Sequence, residues 1–368
     1  MVYLAADNDL ETYAIADLNE LEMVGSTSRV SVVAQLDRSP GYDSSNGDWT
    51  TTRRYYVTKD DDTSTINSEL IQDMGELDMA APGTLTDFVE WATETYPGDH
   101  YLLVLWDHGR GWRTRAMMAT GMQRQIKAIH IDDTDGSEMS LAELSEAFLS
   151  IPRMDVVLFD ACLMGMLEVA YSIRDYADMM VASEENVPMT GQPYDRILSR
   201  LTSDPGISPY SFSMVMVDEY IDHYASYDST FTASAIFLSS IDDVASAADQ
   251  LAGAISANMD EVRSDVRTAQ QRTQHYDFDK SVYDDYKDLY DFARHVRQLV
   301  TNAEVQSAAK AVMDAVNGAV LYQRSSGHLV LDSYGISIYL PDPGYIPIQY
   351  SFIEFAQDTQ WDEFLESY

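Results

Sequence analysis

Two apolar runs of the chain end in residues able to carry out acyl transfer. Leu102-Leu103-Val104-Leu105-Trp106 leads into Asp107-His108-Gly109, and Val156-Val157-Leu158-Phe159 leads into Asp160-Ala161-Cys162. A thiol and an imidazole in reach of one substrate carbonyl form a nucleophile and its acid-base partner. Taken singly, a cysteine is usually a small buried hydrophobe and a histidine a hydrogen-bonded structural residue. Their occurrence at the carboxyl ends of two buried strands, where open parallel sheets place their sites, favours the joint reading. Cys162 is the one cysteine present, which excludes an intrachain disulfide and a cysteine-ligated zinc.

The neighbouring residues extend this chemistry. Gly109 permits close backbone approach, so its N–H and that of Cys162 are candidates for an oxyanion hole. Leu163 to Ala170 is helix-compatible, which would set the thiol at a helix amino terminus, where the dipole favours thiolate. Asp160 lies two residues before Cys162 and shares its strand face. Two roles stay open for it: pairing with an Arg or Lys side chain of a substrate, or accepting nearby backbone N–H groups. Asp107 points to the opposite face from His108 and is the poorer candidate for orienting the imidazole.

These residues need a sheet to hold them. Strand-length apolar runs at Val2 to Ala6, Val30 to Leu36, Tyr101 to Trp106, Val156 to Phe159, Met179 to Ala182 and Thr230 to Leu238 alternate with helical patterns. The fold class expected is α/β, a mostly parallel sheet covered by helices on both faces. Leu85, Phe88, Val89, Ala92 and Tyr96 share one helical face, with Thr84 placed to cap and Pro97-Gly98 to terminate. Ser140-x-x-Glu143, flanked by Met139 and Leu144, reads as a capping box with a hydrophobic staple. The Ser-, Gly- and Asp-rich stretch from Asp37 to Asp62 reads as an exposed excursion with one short strand pair. Two units are expected: a catalytic domain over 1–240, and over 241–368 a helical lobe with a strand pair at Leu329 to Leu331 and Ile336 to Leu340.

The 61 acidic against 23 basic side chains leave a net charge of −38, which argues against nucleic-acid or anionic-membrane partners. No stretch approaches the roughly 20 apolar residues of a membrane span. The opening run Val2 to Ala6 is too short and wrongly flanked for a secretory signal.

At the His108 and Cys162 segments the chain resembles the clostripain family of cysteine peptidases, in which a His-Gly and an Ala-Cys close adjacent strands of a caspase-like fold. The likeness runs from Ala5-Ala6-Asp7-Asn8-Asp9-Leu10-Glu11 through Gly75-Glu76-Leu77-Asp78-Met79, Trp106 to Trp112, Asp160 to Gly165 and Ala182-Ser183-Glu184-Glu185. It continues in Asp288 to Ala293, Gly335 to Tyr339 and Trp361 to Leu365. It implies a caspase-like three-layer α/β/α sandwich and an endopeptidase cutting peptides or proteins after Arg or Lys. His108 and Cys162 would be its dyad, Asp160 part of its specificity pocket, and its setting secreted or cell-surface. Arg110 and Gln192 depart from the Gly and Trp common in relatives.

Relatives are often activated by cleavage between the His and Cys strands. The loop here carries Arg110, Arg113, Arg115, Arg124 and Lys127, with no acidic residue between Asp107 and Asp132, so self-cleavage after Lys127 or Arg124 is expected. No cofactor is needed for the chemistry. Asp132-Asp133-Thr134-Asp135-Gly136 is not an EF-hand, because Ile131 and Ala142 stand where oxygen ligands belong. The resemblance includes calcium-stimulated members, which leaves calcium bound by other carboxylates open, with no ligands assigned. The competing reading is a catalytically silent binding or adhesion protein that keeps the fold while Arg110 closes its pocket.

Overall fold

In the computed structural model, which describes residues 1–113, 129–227, 229–276, 285–344 and 346–368, the apolar runs become the centre of one sheet. Its strands, in chain order, are β1 (Val2–Ala6), β2 (Val33–Arg38), β3 (Thr52–Tyr56), β4 (Glu69–Gly75), β5 (Leu102–Trp106), β8 (Met154–Asp160), β9 (Ala177–Ala182), β10 (Phe231–Phe237) and β12 (Val320–Ser326). Between them lie β6 (Ile129–Asp132), paired with β7 (Ser137–Met139), and β11 (Tyr286–Asp288), paired with β13 (Ser337–Tyr339). Among the described residues the main sheet has nine strands, in the order β12-β10-β9-β8-β5-β1-β2-β3-β4. The five from β9 to β2 run parallel, and both margins are antiparallel.

The pleat sorts the strand residues into two cores. Tyr3, Ala5, Leu103, Leu105 and Phe159 pack beneath α2 (Pro82–Thr95), α3 (Leu141–Phe148) and α4 (Leu167–Ile173). Val2, Leu4, Ala6, Val104 and Trp106 face α1 (Glu11–Glu22), α5 (Tyr194–Ser203) and α6 (Pro209–Tyr224). Each large apolar side chain so buried contributes about 1.5–3 kcal/mol. Because both faces are covered, a slip by one residue would exchange the two sets, so packing fixes the register that carries His108 and Cys162.

Several local expectations are corrected. Thr84 is not a cap: α2 begins a turn earlier, at Pro82, whose fixed φ and missing N–H suit a first helical position. The excursion supplies only β3, and its partner β4 lies beyond residue 62. Leu329 to Leu331 forms no strand. Val320–Ser326 instead pairs antiparallel with β10 and closes the sheet edge. Beyond residue 240, α7 (Ile241–Ala257), α8 (Met259–Arg272), α9 (Leu289–Leu299) and α10 (Ala303–Ala319) extend the first core before and around β12. The capping box at Ser140 and Glu143 forms as expected. Among the described residues no helix is long and apolar enough to cross a membrane.

Glu168, in α4, is 1 % exposed. Its Oε1 accepts the Tyr339 N–H at 2.9 Å and the Tyr350 hydroxyl at 2.8 Å. Burial pushes its pKa from 4.5 up to about 7. The folded chain therefore keeps a proton that the unfolded chain releases, so this stability is present below about pH 4.5 and is lost as pH rises through about 7, roughly 3 kcal/mol in all. Urea unfolding followed between pH 5 and 8 should show stability falling with pH, and Glu168→Gln should flatten that slope by about one proton. An unchanged slope in the variant would refute the assignment.

Candidate active site

β5 and β8 are parallel neighbours with Trp106 opposite Asp160, so the residue two places beyond each leaves the sheet at the same edge. Those residues are His108 and Cys162. The Asp107 N–H donates to the Asp160 carbonyl at 3.3 Å and continues the register past the strands. Gly109 then lies against the other chain end. A Cβ there would sit 2.3 Å from the Cys162 carbonyl oxygen and 2.9 Å from both the Cys162 nitrogen and the Ala161 Cβ. Only glycine lets the two chain ends come this close.

The thiol is not at a helix terminus. α4 begins at Leu167, and the residues between turn through Leu163, whose φ is +62°, before Met166 bridges to Ser337. The Gly165 N–H donates to the Ser183 carbonyl at 2.8 Å, drawing this turn toward the end of β9 and away from a helical course. What polarises the half-buried Sγ is the Val187 N–H, which donates to it at 3.3 Å. A backbone donor aimed at sulfur favours thiolate as a helix dipole would.

His108 is held by two carboxylates with different tasks. Asp107 is 3 % exposed and accepts the His108 and Ile131 N–H groups and, at 2.9 Å, the Asn8 amide. Burial pushes its carboxyl well above the usual range, while these donors pull it back. It braces the backbone beneath the histidine. The ring is met by Asp9, whose Oδ1 lies 2.8 Å from His108 Nε2. Asp9 follows β1 by three residues, and β1 and β5 flank the point where the strand order reverses, the usual crevice of open α/β sheets. The sequence offers a signal for Asp9 only in hindsight: an acidic residue just past the first strand, in a turn with no apolar pattern to place it.

Asp160 is 4 % exposed. Its Oδ2 accepts the Tyr194 hydroxyl at 2.7 Å and the Gln192 N–H at 3.0 Å, while Oδ1 has no partner among the described residues. Burial raises its pKa, and the two donors oppose the rise. A second buried carboxylate, Asp17 of α1, shares the region: its Oδ2 accepts the Trp106 indole N–H at 2.6 Å. A Cβ at Gly191, where φ is +57°, would lie 2.7 Å from the Asp160 Oδ2 and 3.1 Å from the Asp17 Oδ2. Asp17 and Tyr194 were not legible as site residues, because each falls within an ordinary amphipathic helix. The Arg110 guanidinium lies 3.7 Å from Glu138 of β7, and its carbonyl accepts the Tyr286 hydroxyl at 2.6 Å. Lys127 and Arg124 lie outside the described residues.

A profile of the clostripain family matches residues 2–368. Clostripain of Hathewaya histolytica is 29 % identical over 227 residues, which is 56 % of this chain and 42 % of that protein. The chain thus matches less than half the length of this curated relative. An inactive zymogen C11 protease from Parabacteroides distasonis superposes with a TM-score of 0.71 at 20 % identity, over 99 % of this chain and 96 % of that one. A secreted C11 cysteine protease from Bacteroides thetaiotaomicron, bound to an irreversible peptide inhibitor, superposes with a TM-score of 0.69 at 21 % identity, over 98 % of each chain. The paired strand ends, the glycine wedged between them and a family match over nearly every residue lead to one assignment: the chain belongs to the clostripain family.

Proposed function

We propose that this protein is a cysteine endopeptidase that cleaves after Arg or Lys. The observation that carries the proposal is the β5–β8 register, which brings His108 and Cys162 out at one sheet edge with Gly109 against the Cys162 backbone. The Cys162 thiolate attacks the carbonyl carbon of the scissile bond. The N–H groups of Gly109 and Cys162 stabilise the oxyanion. With Nε2 turned to Asp9, Nδ1 of His108 is the nitrogen left to protonate the departing amine. Water activated by the same imidazole then hydrolyses the thioester and restores the thiol. Asp160, which ends β8 two residues before Cys162 and whose Oδ1 has no partner among the described residues, supplies the negative charge that selects a cationic side chain.

Peptide and protein substrates bearing Arg or Lys are the partners this implies. Self-cleavage after Lys127 or Arg124 belongs to the same proposal, since that basic loop presents the residues the pocket would accept. So does action outside the cell, which the secreted protease from Bacteroides thetaiotaomicron supports by fold alone.

The test is hydrolysis of fluorogenic peptides ending in Arg, Lys, Asn, Asp or citrulline. Turnover of the Arg and Lys peptides at least ~100-fold above the others is expected, the size of effect a desolvated charge pair supports. Equal turnover of citrulline and Arg would remove the charge-based specificity. No turnover of any peptide by the folded chain would favour a silent binding protein.

A further inference from the structure

Three segments that take no part in the proposed reaction, residues 182–185, 288–293 and 335–339, converge beside the Cys162 turn. Glu184, two residues past β9, is 1 % exposed, and Asp288, the last residue of β11, is fully buried. Glu184 Oε2 accepts the Gly335 N–H at 3.1 Å. Asp288 Oδ1 accepts the Asp291 N–H at 2.7 Å, and its Oδ2 accepts the Tyr334 N–H at 2.5 Å and, at 3.4 Å, the Tyr276 hydroxyl. The two carboxyl groups lie within hydrogen-bonding reach of each other, and Oε1 of Glu184 has no donor among the described residues. Two buried carboxylates so placed would repel with little solvent to screen them. One proton held between them turns that repulsion into a hydrogen bond.

The segment that Glu184 anchors reaches the nucleophile. The Gly165 N–H donates to the Ser183 carbonyl at 2.8 Å and the Leu163 N–H to the Glu185 carbonyl at 3.3 Å, so alternate residues of 183–187 lie along the Cys162 turn. The next in that alternation, Val187, donates its N–H to Sγ at 3.3 Å. The Glu184 and Glu185 N–H groups both donate to the Thr232 hydroxyl of β10, at 3.0 and 3.1 Å. These contacts hold the backbone of the segment, and the Glu184 side chain ties it to the turn at Gly335 and to β11.

We propose that Glu184 is a positioning residue for Cys162: it shares one proton with Asp288, and this bond keeps the 183–187 segment where the Val187 N–H meets the sulfur. The role rests on the proposed peptidase reading. Around the pair stand the Tyr276 hydroxyl, Tyr334 and, on α9, Asp291, which Arg294 and His295 contact in turn. Lys287 is the adjacent residue of β11, and the alternation of a strand puts it on the opposite face from Asp288. Burial, and then Asp288 itself, hold the Glu184 carboxyl well above its usual range, and burial raises Asp288 as well. The shared proton is therefore kept above the pH at which a carboxyl ordinarily ionises. It is lost as pH rises further, when two facing charges drive the segment from the thiol.

The experiment measures kcat for an Arg peptide and the rate at which iodoacetamide alkylates Cys162, each from pH 5 to 10, in the parent, Glu184→Ala and Glu184→Gln. Because Cys162 is the one cysteine, alkylation reports its thiolate alone. Glu184→Ala should lower kcat and neutral-pH alkylation at least ~10-fold while KM stays within about twofold, since the sulfur loses its donor and the Asp160 pocket is untouched. Glu184→Gln carries an amide that donates to Asp288 at every pH while its oxygen accepts the Gly335 N–H. It should restore kcat to within about threefold of the parent and move the alkaline fall of kcat at least about half a pH unit higher, leaving the fall caused by His108. Unchanged kcat and alkylation in a folded Glu184→Ala would overturn the proposal. So would an alkaline fall at the same pH in the parent and Glu184→Gln, the comparison that decides if the alanine variant does not fold. A parent that cleaves no peptide would sink the peptidase reading, and the same comparisons would then be read from alkylation alone.

Discussion

Replacing Cys162 with Ala is expected to lower hydrolysis of Arg and Lys peptides by at least ~10⁴-fold, to background, because the thiol is the proposed nucleophile and Cys162 is the one cysteine of the chain. Substitution of His108 by Ala should cost nearly as much, and the double variant no more than either alone, since the two residues act on one proton and one carbonyl. Folding offers no escape from this test. Sγ is half-buried and meets the backbone of Val187, whose N–H donates to it and whose carbonyl accepts from it, so the alanine variant should stay folded, within about 1–2 kcal/mol of the parent. Two further readouts follow from the same residue. A peptide electrophile ending in Arg should label the parent and not the variant. If the 110–128 loop is cut by the chain's own activity, the parent should run as two fragments by intact mass and the variant as one. Residual turnover in Cys162→Ala above one per cent of the parent would exclude the thioester route.

How far the sequence anticipates this site depends on the kind of signal each part leaves. His108, Gly109 and Cys162 are legible because the strands that carry them are continuous apolar runs, buried on both faces, and reactive residues ending such runs stand out. β12 is not: Val320–Ser326 reads VLYQRSS and lies at the sheet margin with every residue half-buried, so its pattern is too polar for a central strand. The helix expected at Cys162 fails for a tertiary reason. Leu163 to Ala170 is helix-compatible, but Ser183 and Ser337 bind the backbone of Gly165 first, and local propensity yields to those bonds. Asp7, Asp37, Glu76 and Asp132 come together from four separate strand ends, a juxtaposition that spacing along the chain does not reveal.

Asp160 joins the sheet to substrate choice, and its two possible roles predict opposite results for Asp160→Asn. Asparagine matches the carboxylate in size and can still accept the Gln192 N–H and the Tyr194 hydroxyl through one oxygen. If Asp160 only supports those groups, the variant should lose a little stability while the ratio of Arg to citrulline turnover stays put. The proposed role requires the ratio to collapse. Removing the charge should cost ~100-fold or more in kcat/KM for Arg and Lys peptides, about 3 kcal/mol, and little for citrulline. The pH dependence gives a second arm. Burial raises the Asp160 carboxyl above its ordinary range, so as pH falls it takes up a proton early and its attraction for guanidinium disappears. Selectivity for Arg over citrulline should therefore decline on the acid side, and that decline should be missing from Asp160→Asn. A parent enzyme whose Arg-to-citrulline ratio is flat from pH 5 to 8, with a variant equal to it, would reduce Asp160 to a support for the turn at Gly191.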